Sequence, residues 1–150
     1  MSKIPKPSVI LMAEDDADDR LLVKDALNEC QCEADLQFVE SGEELLDYLL
    51  QRGKFGGSSP TRRPGLIILD LNMPRKDGRE ALREIKAHPQ LRRIPVVVLT
   101  TSQADTDIGQ IYDLGANSFI TKPVTFESLV KVMKVLGDYW CDIVELPTKG

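Results

Sequence analysis

Residues 66–70 read LIILD, an apolar run that ends on the carboxylate of Asp70. A second run, SVILMA at 8–13, ends on Glu14, Asp15 and Asp16. A third, IPVVVL, runs into Thr100, Thr101 and Ser102, and ANSFI runs into Thr121, Lys122 and Pro123. Carboxylates gathered at one point repel, so they must protonate or bind a cation. A donor set of oxygens without His or Cys suits a hard ion such as Mg²⁺, which leaves room for a phosphoryl oxygen. A lysine beside it would neutralise a further oxyanion, and hydroxyls would donate to that oxyanion. A carboxylate can itself be the nucleophile. The set reads as a phosphoryl acceptor: Asp70 attacks in line while Mg²⁺ and Lys122 stabilise charge.

Each of these residues has a plainer role when taken alone. Asp15 or Asp16 could cap the helix that follows. Asp70 could be a turn residue, and Thr100 and Thr101 are good strand formers. Lys122 before a proline could be a solvated lysine at a turn. Their joint occurrence at the ends of four strands carries the chemical reading.

The elements that must position them alternate along the chain. After the strand at 8–13, DDRLLVKDALNEC (18–30) places Leu21, Leu22, Ala26 and Leu27 at helical spacing. ADLQFV (34–39) reads as a shorter, more exposed strand. SGEELLDYLLQR (41–52) opens with Ser41 and Glu44 in capping-box spacing and carries Leu45, Leu46, Tyr48, Leu49 and Leu50. The Gly-, Ser- and Pro-rich stretch 53–65 reads as a long loop. Strand 66–70, helix 77–88 with Ala81, Leu82 and Ile85 inward, and the β-branched strand 94–101 follow. A weaker helix over 104–115, a strand over 116–121 and a long amphipathic helix over 125–140 complete the pattern, with Thr125 and Ser128 both suited to cap the last helix. Strands joined by single helices must be parallel. The three apolar strands belong at the centre and the two polar ones at the edges. Right-handed crossovers then give the order 2-1-3-4-5, an α/β, flavodoxin-like doubly wound sheet. Ligands bind such sheets at the carboxyl ends of the strands, beside the switch between strands one and three.

Composition narrows the function. The 150 residues suit one domain, with 42% hydrophobic and 29% charged residues and a net charge of −5. The acidic balance argues against a nucleic-acid surface; Arg62-Arg63 and Arg92-Arg93 read as solvated charges. No apolar run approaches the ~20 residues that span a bilayer. The N-terminus, broken by Pro5 and Pro7, does not read as a signal peptide. Cys30, Cys32 and Cys141 lack the partners of a zinc site and read as reduced thiols of a cytoplasmic protein. His88, the single histidine, reads as a surface residue beside a helix end.

With ILMAEDD, LIILDLNMPRKDG, VVVLTTS and FITKP at these spacings, the chain resembles a receiver domain of a two-component response regulator over residues 8 to about 137. The resemblance implies Asp70 as phospho-acceptor. It implies Mg²⁺ bound by Asp15, Asp70 and the backbone carbonyl of Asn72, with Glu14 acting through water. Thr100 and Lys122 match the hydroxyl and lysine that bind the phosphoryl group, and Phe119 matches the aromatic switch position. Thr101 departs from the small residue often found there. The loop 53–64, LRRIPVVVLTTS and the tail YWCDIVELP are also similar to single-domain regulators paired with cyanobacterial-type phytochrome histidine kinases. That likeness implies a sensor histidine kinase as partner and a homodimer through the fourth helix, fifth strand and fifth helix. Tyr139, Trp140, Ile143 and Val144 would either extend that surface or pack within the chain. Residues 138–150, about 13 in number, are too few for an output domain. Output is therefore expected through protein contact, from a phosphoacceptor and not a turnover enzyme.

Two rivals remain at the level of sequence. An aspartate-based phosphatase would carry a second acid two residues after the nucleophile, where Asn72 cannot give up a proton. A pure interaction module would bind Mg²⁺ in the acidic pocket without phosphotransfer.

Overall fold

In a computed structural model, the structure describes residues 9–29, 35–57, 63–71, 78–100, 105–121, 123 and 125–137. Among the described residues, five strands, β1 (Val9–Ala13), β2 (Asp35–Val39), β3 (Leu66–Leu69), β4 (Val96–Thr100) and β5 (Ser118–Thr121), alternate with five α-helices. These are α1 (Ala17–Glu29), α2 (Gly42–Leu50), α3 (Gly78–Ala87), α4 (Asp105–Asp113) and α5 (Phe126–Gly137). The sheet is wholly parallel with order β2-β1-β3-β4-β5, as the alternating pattern and the polarity of the outer strands require.

The period-two alternation of a strand divides the core between the two faces. Leu11 and Ala13 of β1, Ile67 and Leu69 of β3, and Val96 and Val98 of β4 face α2 and α3, where Leu45, Leu46, Leu82 and Ile85 are buried. Ile10, Met12, Leu66, Ile68, Val97 and Leu99 face α1 and α5, against Val23, Ala26, Leu27, Leu129 and Met133. With both faces covered, β1 and β3 are buried throughout. Edge strand β2 buries only Val39 fully.

The helix starts follow their caps. Ser41 Oγ accepts from the Glu44 N–H (3.1 Å), as the capping spacing demands. The Glu44 carboxylate reaches one residue further back than in the usual box and accepts from the Glu40 N–H (3.0 Å). Before α5 it is Thr125 that caps, accepting from the Ser128 N–H (3.1 Å).

Two expectations change. In α1 the inward face is Val23, Ala26 and Leu27, while Leu21 (58% exposed) and Leu22 (37%) point to solvent. At about 100° per residue, Leu21 falls nearly opposite the Val23–Ala26–Leu27 stripe. Packing against the sheet and α5 selects that stripe. The stretch directly after α2 is also not plain loop. Gly53–Phe55 form a 3-10 turn whose Phe55 ring meets Tyr48 edge-on at 5.2 Å.

Candidate functional site

The carboxyl ends of the strands deliver the acidic residues to one rim. Glu14 follows β1 directly, and its peptide is held on both sides. Its N–H donates to Val39 O (2.9 Å) of β2, and its C=O accepts from Arg20 Nη1 (2.9 Å) of α1. Glu14 Oε2 accepts from the Asp16 N–H (3.2 Å), and the residue is 1% exposed. Asp70 follows β3, its N–H donating to Ala13 O (3.1 Å), and is 5% exposed. The pairing of β1 with β3 therefore places Glu14 and Asp70 at the same level of the sheet. Asp15 lies beside them, exposed. One carboxylate oxygen from each of Glu14, Asp15 and Asp70 falls within 4.8 Å of the others.

Asp16 does not belong to this group. Its Oδ1 accepts from the N–H groups of Asp18 (2.8 Å) and Asp19 (3.1 Å), which makes it the N-cap of α1. Sequence alone left cap and ligand open for Asp16, because the same residue type serves both.

Three carboxylates, two of them buried, are costly to bring together unless a cation compensates them. All-oxygen donors fit a hard divalent ion. The donor set therefore matches a divalent-metal site on its own chemistry, with Glu14, Asp15 and Asp70 as the side chains able to hold the ion.

Thr100 ends β4 and is the register partner of Thr121, the last residue of β5. Asn72, Thr101, Ser102 and Lys122 lie outside the described residues, as do Cys30, Cys32, Cys141 and the tail residues Tyr139, Trp140, Ile143 and Val144. Phe119 of β5 is half-buried against the α2–α3 side of the core, and its N–H donates to Tyr112 Oη (3.1 Å) of α4. His88 is partly covered, and its Nδ1 accepts from the Gln90 N–H (3.1 Å).

Sequence reasoning passed over Gly78 at the rim. Gly78, the first residue of α3, lies hard against the chain that carries Asp70. A Cβ on Gly78 would stand 2.7 Å from Asp70 O and 2.8 Å from Leu71 Cα. The Gly78 N–H donates to Leu71 O (3.2 Å). Asp77-Gly78 signals a helix start, but nothing in the local sequence marks this approach.

Residues 10–134 match the response regulator receiver domain family. The chain belongs to that family. Response regulator Rcp1 of Synechocystis is 41% identical over 141 residues, covering 94% of each chain. The Mn²⁺-bound form of Rcp1 superposes with a TM-score of 0.86 at 40% identity, over 95% of this chain and 100% of that one. The phosphorylated cyanobacterial phytochrome response regulator RcpA gives a TM-score of 0.86 at 41% identity, over 94% and 99%. The chain is thus a two-component response regulator receiver, a signalling protein of the kind served by histidine kinases. Among the described residues no helix is long and apolar enough to cross a membrane.

Proposed function

We propose that Asp70 accepts a phosphoryl group from a phosphohistidine of a partner sensor kinase. The observation that carries this reading is the buried Asp70 carboxylate at the end of β3, within 4.8 Å of the Glu14 and Asp15 carboxylates, in a receiver fold. In the transfer, a carboxylate oxygen of Asp70 bonds to phosphorus as the P–N bond breaks, and the imidazole leaves with the bond's electrons. Asp15, Asp70 and the backbone carbonyl of Asn72 would hold Mg²⁺, with Glu14 acting through water. Bound there, that ion supplies charge neutralisation for the phosphoryl oxygens. Lys122 neutralises a further oxygen, and Thr100 donates its hydroxyl to the group. The rigid central strand fixes the nucleophile, so positioning and electrostatics carry the rate. Release of the phosphoryl group to water is the chain's own counterpart reaction.

Thr100 moves toward the phosphoryl group in this reading, and Phe119 follows into the space vacated. Phosphorylation must favour that arrangement by several kcal/mol to move it from a few per cent to dominant. Residues 8–137 act as one receiver unit extended by 138–150, in the cytoplasm. The likeness to Rcp1 and RcpA over nearly their whole length supports a phytochrome kinase as the phosphoryl donor. In this reading the chain signals through the α4–β5–α5 face, as a homodimer. There Tyr112 and Phe126 are exposed at 49% and 42%. The test is uptake of phosphate from a kinase or acetyl phosphate. Asp70→Asn should abolish Mg²⁺-dependent uptake; uptake that persists unchanged would refute the assignment.

A further inference from the structure

Arg20 stands one turn into α1 and folds back over the loop that carries Glu14 and Asp15. Its backbone N–H donates to Asp16 O (3.0 Å), as the helix requires. Its Nη1 donates to Glu14 O (2.9 Å). Its Nη2 lies 3.9 Å from Glu40 Oε2, with the Arg20 side chain 21% exposed and that of Glu40 63%. An ion pair so long and wet contributes little. The short bond to the Glu14 carbonyl is the substantial one, because a charged donor to a part-buried carbonyl is among the stronger hydrogen bonds. With Val39 O holding the Glu14 N–H, the peptide on each side of Glu14 is fixed by a different element.

From this geometry we infer that Arg20 is a positioning residue for the metal site. It fixes the backbone from which the Glu14 and Asp15 carboxylates converge on Asp70. The inference rests on the metal-site reading above. Its content is that geometry outweighs charge, and the two have opposite signs. As a cation close to a cation site, Arg20 would weaken metal binding by repulsion, and its removal would tighten binding. As a clamp on the Glu14 carbonyl, it strengthens binding, and its removal would weaken it. Outer partners that orient metal ligands are typically worth 10–100-fold in affinity.

The test is Mn²⁺ binding, followed by the electron-paramagnetic signal of free ion, on the full chain and on Arg20→Met, Arg20→Lys and Glu40→Gln. Arg20→Met should raise the Mn²⁺ Kd about tenfold or more. Glu40→Gln should leave it unchanged. Arg20→Lys keeps the charge and loses the planar fork, so its Kd should also rise, by several-fold. That variant decides the matter if Arg20→Met does not fold, as judged by thermal unfolding in EDTA. The rate of acetyl-phosphate uptake should return to the wild-type value at saturating Mg²⁺, with only the half-saturating Mg²⁺ concentration raised. Tighter or unchanged Mn²⁺ binding in a folded Arg20 variant would overturn the inference. Failure of the metal-site reading looks different: wild type would bind no Mn²⁺, or Asp70→Asn would bind it as well as wild type.

Discussion

Gly78→Ala sets two effects of opposite sign against each other. Helix propensity alone favours the substitution, by up to ~1 kcal/mol in a helix interior and by less at a first helical position. Against it stands the new methyl group, 2.7 Å from Asp70 O and 2.8 Å from Leu71 Cα. Both are backbone atoms, so no flexible side chain can swing away. Moving the β3–α3 connection by several tenths of an ångström is overpacking, which typically costs ~1–3 kcal/mol. The steric term wins, for a net loss of ~1–2 kcal/mol. In a chain of this length that lowers Tm by about 2–8 °C. Urea unfolding and thermal unfolding in EDTA measure it. Because the displaced carbonyl belongs to Asp70, Mn²⁺ binding should weaken as well. A Gly78→Ala protein as stable as wild type or more so, with unchanged Mn²⁺ affinity, would refute the claim that this contact seats Asp70.

The cap and the metal site make separable predictions. Asp16→Ala removes the acceptor for the Asp18 and Asp19 N–H groups and should cost ~0.5–2 kcal/mol in urea unfolding, while Mn²⁺ titration shows the ion still bound. Mg²⁺ at ten times its Kd should stabilise wild type by ~1.4 kcal/mol. That corresponds to a Tm rise of about 3–6 °C by thermal scan, and the rise should vanish in Asp15→Asn and Asp70→Asn. Tyr112→Phe leaves the ring in place and frees the Phe119 N–H on the outer edge of β5, so hydrogen exchange at that amide should speed up.

The fold was legible because its strongest signals are long-range in meaning and local in form. Runs such as LIIL and VVVLT are apolar on both faces, so they declare central parallel strands. The Asp35 and Gln37 positions of β2 declare an edge. Glu14, Asp15 and Asp70 were readable because a strand end fixes where its next residue lies. The phase of α1 was not readable. LLV offers three adjacent apolar residues, and only packing on the sheet and α5 decides that Val23 turns inward and Leu21 does not. Arg20 reads as one more solvated charge in an acidic first turn, since a bond to a backbone carbonyl leaves no trace in the partner's side chain. The closeness of Gly78 to Asp70 and the Tyr112 hydroxyl on β5 are tertiary contacts of the same silent kind.

The most direct measurement is the position of the phosphoryl group itself. After incubation with acetyl phosphate and Mg²⁺, borohydride reduction converts an aspartyl phosphate to homoserine, which peptide mass mapping locates. The account predicts that conversion at position 70 alone, lost without Mg²⁺ and in Asp70→Asn. Conversion at another carboxylate, or none at position 70 in a folded, Mg²⁺-loaded protein, would contradict it.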